Sequence, residues 1–414
     1  MRQSLIRGKK PSVRAIVLAL VFVVGVGVIG SLALKFSTSQ NTSANQAGAQ
    51  PSGQPAAKPV KSSSQAPKPA AKPEPITIVA SGDMLPHSAI SHAAKTAGGY
   101  DYLQFLKPLQ KDYQAADVRF CNQETVSAGE AFGISGYPTF NVSQQFARDL
   151  SGLGCNVINL ANNHMNDKGQ GGINATLDIW DELKPLAHAG ANRNPAAQQA
   201  VKYFSVRGVK FAFVSYTEVS NTRNFEPFAL NMLREDLVRA QLTEANNQAD
   251  IVLVGVHWGT EYSAGVDSAQ TRWSTLFANL GADAVIGTGP HVLEPVKRLP
   301  KAGGGETVVW YSLGNLLSAQ LEVQSLIGGI ARMEVDPTSK AISNISFKPT
   351  YMHYEWTADQ KARENLLARR NFSVVPLSVA AVLLAKSQNN TTVQAQTGRV
   401  KDLLNTYTSV PITE

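Results

Sequence analysis

Five separate stretches run from an apolar, strand-like segment straight into a polar cluster, and this pattern constrains the chain more than any other feature. Ile76–Ala80 leads into Ser81-Gly82-Asp83-Met84-Leu85-Pro86-His87, and Val118–Cys121 into Asn122-Gln123-Glu124-Thr125. Val157–Leu160 leads into Ala161-Asn162-Asn163-His164-Met165-Asn166-Asp167. Ile251–Val256 leads into His257-Trp258-Gly259-Thr260-Glu261-Tyr262, and Ala284–Ile286 into Gly287-Thr288-Gly289-Pro290-His291. In an open α/β sheet, groups just past the carboxyl ends of the strands share one crevice. Carboxylates, imidazoles and carboxamides gathered there form an oxygen- and nitrogen-rich pocket suited to a metal or to acid/base chemistry.

The order of elements around these stretches reads as α/β. Expected helices at Ser88–Thr96, Tyr102–Ala115, Ser143–Leu153 and Gly171–Leu186 alternate with strands, which implies right-handed crossovers and a largely parallel sheet. Further on, Val201–Val206 and Val209–Tyr216 flank Arg207-Gly208 as a hairpin. Helices are expected at Leu233–Asn246 and Ser268–Leu280, and strands at Thr307–Ser312, Ile330–Val335 and Ile342–Phe347. Two mixed sheets packed together with helices outside fit this order best. The tail from about Glu355 shows helical patterns at Ala358–Arg369 and Val379–Ala385.

The first part of the chain is not globular by composition. Arg2, Arg7, Lys9, Lys10 and Arg14 precede an uncharged stretch, Ala15–Leu34, of the length a membrane-crossing helix needs. The hydrophobic part of a cleavable signal is shorter, so the run reads as an uncleaved anchor. The basic cluster places residues 1–14 in the cytoplasm and the main domain outside, in a single-pass cell-membrane protein. Residues 35–75, rich in Ser, Gln, Ala, Pro and Lys, read as a disordered tether.

The net charge of +7 is unevenly spread: residues 1–75 carry +9, which leaves −2 on the rest. A near-neutral main domain lacks the basic face of a nucleic-acid binder. Cys121 and Cys155 are the two cysteines. Counting each back from its polar cluster puts them about five residues out of step, roughly 16 Å apart in a strand. That is too far for a disulfide, so two buried free thiols are expected.

Several residues in the clusters could do chemistry. Asp83 and Glu124 can project past the sheet edge. Two carboxamides and an imidazole at 162–164 are poor choices for packing, because each buried polar group needs a partner. Asn163 can offer its carbonyl oxygen to a metal, and His164 can bind a metal or donate a proton, with Asp167 fixing its tautomer. His257 ends the most apolar strand, His291 sits in a tight Gly-Thr-Gly-Pro-His loop, and Asn162, His87, Glu261 and Asn315 are expected to line the same crevice and contact substrate. This donor mix suits one or two ions of Mn, Fe or Zn better than calcium. No Gly-x-Ser-x-Gly elbow or Walker A loop occurs, so neither a serine hydrolase nor a nucleotide-binding P-loop is indicated.

Together these stretches resemble the CapA family of poly-γ-glutamate capsule biosynthesis, whose domain is related to calcineurin-like metallophosphoesterases. Its most specific parts are Ala161-Asn162-Asn163-His164, the His257–Tyr262 segment, Gly287–Val292 and Tyr311–Asn315. The resemblance covers roughly 76–351, with 352–414 as a helical extension. It implies a four-layer α/β/β/α sandwich of metallophosphoesterase type, an extracytoplasmic domain on one membrane helix, and a role in producing or exporting an anionic envelope polymer alongside synthase or export subunits. It implies Asp83, Glu124, Asn163, His257 and His291 as metal ligands, with Glu124 in the bridging position, and His164 with Asp167 as catalytic groups. A non-catalytic role in such a complex is the alternative. Two departures stand out: Gly289 replaces a histidine common in the family's fifth loop, and Leu316 replaces a phenylalanine.

Overall fold

A computed structural model describes residues 73–414. The expected membrane anchor at 15–34 and nearly all of the expected linker lie outside the described residues. Among the described residues no helix is long and apolar enough to cross a membrane.

The strands, in chain order, are β1 Ile76–Met84, β2 Lys95–Thr96, β3 Gly99–Tyr100, β4 Val118–Gln123, β5 Val157–Asn159, β6 Ala187–Ala189, β7 Lys202–Val206 and β8 Val209–Thr217. They continue as β9 Ile251–His257, β10 Ala284–Thr288, β11 Val296–Pro300, β12 Glu306–Trp310, β13 Asn315–Leu317, β14 Ile327–Val335, β15 Ile342–Glu355 and β16 Arg370–Pro376. One sheet runs β16-β15-β14-β1-β4-β5-β6, with β13 added beside β1; the other runs β11-β12-β10-β9-β8-β7. In the first, β1, β4, β5 and β6 are parallel, joined through helices that include Gln145–Leu153 and Gly169–Leu183. In the second, β8, β9, β10 and β12 are parallel, and β7 and β11 close the edges antiparallel.

Period-two alternation in the second sheet decides how the layers stack. Phe211, Phe213, Ile251, Leu253, Ile286, Val308 and Trp310 point into the main core shared with the first sheet. Their neighbours Ala212, Val214, Val252, Val254, Val285 and Val309 point the other way, into a second cluster with Leu237, Leu242, Trp273 and Phe277 of the helices Glu235–Gln248 and Ser268–Asn279. The sheets therefore lie face to face with helices outside. Phe120 of β4 meets Phe213 of β8 edge-on at 6.0 Å, and Trp310 of β12 stacks on Phe347 of β15 at 6.0 Å. Truncating such a buried aromatic to alanine costs about 3–5 kcal/mol.

Local signals explain most element limits. Asp267 and Gln270 form a reciprocal capping box that starts the Ser268–Asn279 helix. The hairpin turn uses Arg207 and Gly208 at positive φ. The expected helix 102–115 is instead broken by a 3-10 turn at Lys107–Leu109, where Pro108 removes a donor. The expected helix 358–369 stops at Ala362, and Arg370–Pro376 is an edge strand rather than helix. Strand β15 runs across the expected boundary at 351, so the tail is built onto the first sheet.

The cysteines correct an expectation. Cys121 and Cys155 form a disulfide with Cα atoms 5.8 Å apart. The polar clusters are not equally distant from their strand ends: Cys121 pairs with Ile158, only three positions beyond Cys155. Cys155 also precedes β5 and follows a turn at Gly154 with φ 124°, which folds it back beneath β4.

Candidate metal centre and cleft

The register of the ladders sets one row of polar side chains across the strand ends. Asn315 of β13, Asp83 of β1, Asn122 of β4 and Asn159 of β5 are successive Cα partners in the first sheet. Thr217, His257 and Thr288 are partners in the second. A bulge at Gly82 re-aims Asp83: β1 pairs Ser81 with Cys121 and then Asp83 with Asn122. Glycine is needed there, since a Cβ at 82 would lie 1.9 Å from the Gly314 carbonyl oxygen.

The two sheets meet at this end. Asp83, Glu124 and His257, all buried, bring one ligand atom each within 4.8 Å of one another. His291 joins them with Nδ1 3.0 Å from Asp83 Oδ2 and 3.1 Å from Asn315 Oδ1. His257 Nδ1 lies 3.2 Å from Thr288 Oγ1, a hydroxyl that donates to the Val256 carbonyl. Acceptors at both Nδ1 atoms fix the N–H there and leave each Nε2 free to act as a ligand. Both Nε2 atoms stand 3.7 Å from Glu124 Oε1. That is too long for a hydrogen bond and close to the spacing of two ligands each about 2.1 Å from one ion.

The unsatisfied atoms give a test of fit. Both carboxylate oxygens of Glu124 and Oδ1 of Asn163 are buried and accept no hydrogen bond. Such orphans cost roughly 1–3 kcal/mol each, more when charged, unless a ligand or ion meets them. No Lys or Arg pairs with Asp83 or Glu124 among the described residues. Oxygen and imidazole donors around buried, uncompensated carboxylates fit a divalent transition metal.

The charges are already polarised. Burial raises the Asp83 carboxyl, but the hydrogen bond and charge of His291, with the charge of His257, outweigh it and hold Asp83 below its usual range. Burial and the neighbouring Asp83 charge push Glu124 well above the carboxylate range. Burial lowers His257 to about 3 despite Asp83. At His291 the opposing effect of burial is overcome by Asp83, and the imidazole is raised.

Two backbone features shape the fifth loop. His291 sits at φ 61°, a left-handed conformation costly for a side chain of its size, and it turns the imidazole onto Asp83. Gly289 has φ 113°, and a Cβ there would lie 2.7 Å from the Trp258 carbonyl oxygen. A histidine at 289 has no room without backbone movement. The loop offers the Gly289 N–H instead, 3.3 and 3.4 Å from the Asp83 oxygens.

A cleft of about 920 Å³ opens beside the centre, lined among others by His87, His164, Asp167, Glu261, Tyr262 and His291. His164 is held from both sides. Its Nδ1 is 2.7 Å from Asp167 Oδ2, which also accepts the Phe140 N–H, and Asn221 Nδ2 reaches Nε2 at 3.2 Å.

The remaining residues singled out from the sequence divide by use. His87 and Glu261 line the cleft, with His87 lowered to about 3 by burial. Asn162 spends its carboxamide internally: Nδ2 donates to the Gln123 carbonyl, and Oδ1 accepts the His164 N–H. Asn315 binds Gln320 and the Ser325 carbonyl through Nδ2, so its role is to orient His291. Sequence reasoning missed Asn159, which donates to Asn122, which in turn donates to Asp83, each at 2.8 Å. A polar residue at the last position of an apolar strand was the available signal. It also missed Asn221 and Arg369, whose segments carry no pattern that marks them.

The paired mixed sheets, with a buried carboxylate–imidazole group at their joined ends, define an α/β domain with a candidate metal centre. Residues 77–320 match the family described as bacterial capsule synthesis protein PGA_cap, and the chain belongs to that family. It is 30% identical over 210 residues to the PGA biosynthesis protein CapA of Bacillus subtilis (strain 168), covering 47% of this chain and 53% of that one. It is 30% identical over 235 residues to the capsule biosynthesis protein CapA of Bacillus anthracis, covering 54% of this chain and 50% of that one. The chain thus spans about half the length of these relatives. Among solved structures, a phosphatase of Mycoplasma pneumoniae aligns at TM-score 0.42 and 15% identity over 67% of this chain and 93% of its own. A 5'-nucleotidase of Candida albicans SC5314 aligns at TM-score 0.37 and 9% identity, over 66% and 51%. At these scores the alignments decide nothing about chemistry.

Proposed function

We propose that this protein is a membrane-anchored, extracytoplasmic component of capsule or envelope-polymer production, with a metal-dependent phosphoesterase-type site. The observation that carries the reading is the Asp83–Glu124–His257 group, whose orphaned Glu124 oxygens face two free imidazole Nε2 atoms. Family membership supports the capsule role. The uncharged run 15–34 supports anchoring, and a Cys121–Cys155 disulfide, a bond kept in oxidising compartments, supports export.

Asp83, Glu124, His257 and His291, with Asn163 from the neighbouring loop, would hold the ion. When bound, a divalent cation supplies Lewis-acid polarisation of a phosphoryl oxygen. His291 belongs both to the ligand group and to the cleft lining, so a ligand in the cleft reaches the centre through it. His164 faces the same space, and Asp167 Oδ2 accepts its Nδ1–H. Asn221 Nδ2 donates to Nε2 and orients the ring, and a ligand that displaces Asn221 frees Nε2 to exchange a proton with a departing oxygen.

The test is metal content and hydrolysis of a chromogenic phosphodiester by the full chain purified in detergent. Wild type should carry Mn, Fe or Zn and an Asp83→Ala, His257→Ala double variant should not; equal metal in both would end the metal reading. Activity abolished by His164→Ala is expected. The tight Gly289 position favours a second reading, a non-catalytic, polymer-holding role. Capsule fully restored in cells by His164→Ala would establish that second reading.

A further inference from the structure

The segment after β15 lies outside the matched family region 77–320, yet it supplies one wall of the cleft. The turn Leu366–Ala368 returns the chain to β16 and places Leu366 and Arg369 among the lining residues, with His87, His164 and His291. Arg369 is 5% exposed. Its Nε donates to the Leu366 carbonyl at 2.8 Å and its Nη1 donates to the Ala319 carbonyl. The guanidinium lies over the rings of Tyr354 and Trp356, 5.1 and 5.8 Å from their centroids.

Nothing acidic is among the groups that act on Arg369, and no Asp or Glu forms an ion pair with it among the described residues. A buried guanidinium without a carboxylate partner is costly, because carbonyl oxygens and ring faces compensate only part of its lost hydration. Two carbonyls use two of its five N–H donors and the Tyr354 hydroxyl engages it as well, which still leaves donors unused. Among the described residues it is the one Lys or Arg in a lining that also contains Asp167, Glu261 and Glu322. A fixed guanidinium in such an acidic lining favours a negative group beside it and disfavours one along the acidic wall.

We propose that Arg369 is the anion receptor of this cleft, taking a carboxylate or phosphate oxygen of the bound ligand through its remaining N–H groups. The planar fork suits either anion, and the aromatic platform holds it in a fixed orientation. The C-terminal segment is then a specificity wall. This inference rests on reading the cleft as the ligand site of the metal centre.

The probes are inorganic phosphate, a short γ-linked glutamate oligomer, and the matching uncharged γ-linked glutamine oligomer, titrated onto the full chain in detergent. Arg369→Gln should weaken an anionic probe about ten-fold or more while metal content stays at the wild-type level. Wild type should prefer the glutamate oligomer to the glutamine one, and Arg369→Gln should lose that preference. Arg370→Gln, at the exposed neighbour, should match wild type. A loss confined to phosphate assigns the anion as phosphate, and one confined to the oligomer assigns it as carboxylate. Unchanged affinity for both anions overturns the proposal. So does an equal loss for charged and uncharged oligomers, which marks a purely structural tie through Leu366 and Ala319. If Arg369→Gln melts early, Arg369→Lys decides: it should bind more weakly than wild type yet still discriminate charge, and no discrimination overturns the proposal. A wild type that holds no metal but still binds anions through Arg369 would defeat the metal reading and leave this one standing.

Discussion

Replacing Glu124 by glutamine separates a metal centre from a merely polar core. In the metal-free protein burial and the Asp83 charge raise the Glu124 carboxyl and so favour its neutral form, with which an amide is nearly isosteric. Stability without metal should change by less than about 1 kcal/mol. With metal the two proteins should part. A ligand at a hundred times its dissociation constant stabilises the folded state by about 2.7 kcal/mol. Unfolding about 340 residues carries an entropy of roughly 0.7 kcal/mol per kelvin, so wild type should gain about 4 °C in Tm. Losing an anionic ligand should weaken binding about 100-fold at least, judging from the 10–100-fold cost of losing even an outer partner. The same metal concentration then gives Glu124→Gln only about 0.4 kcal/mol, under 1 °C. The assay is differential scanning calorimetry of chelator-treated protein, with and without added Mn. Metal uptake by wild type should also release more protons than uptake by the variant. An equal rise in Tm for both proteins would refute the reasoning, because Glu124 would then not touch the ion.

Two further outcomes follow from groups away from the centre. Burial raises the Glu294 carboxyl from 4.5 to about 8, with Gln270 opposing the shift. The folded state therefore holds a proton that the unfolded chain releases, so this contribution is complete below about pH 4.5 and is lost as pH rises towards 8. The loss is at most roughly 4–5 kcal/mol. Glu294→Gln should flatten the fall in urea stability across that window, and an unchanged slope would contradict it. The Cys121–Cys155 bridge spans 34 positions, which restricts the unfolded chain by about 4 kcal/mol in the chain-entropy account. Cys121→Ser with Cys155→Ser should lower Tm by about 5 °C, and no change in Tm together with titratable thiols in wild type would show that the bond is not formed.

Periodicity and strand-end polarity determined a good deal on their own. Alternating residues such as Phe211–Tyr216 and the run 251–257 specify two-faced strands, and helices between them specify parallel crossovers, because a side chain's face follows from backbone geometry alone. The same logic brought Asp83, Glu124, His257 and His291 to one place, since parallel strands end on one edge. Tertiary structure decided what depends on register and on segments distant in sequence. It brought the cysteines within bonding distance, turned part of the tail into an edge strand, consumed Asn162 and Asn315 in orienting their neighbours, and carried Arg369 into a cleft whose other residues lie mostly before 326. Composition has no means of encoding those outcomes: each is set by which atoms meet across the packed sheets, where a shift of a single residue changes every partner.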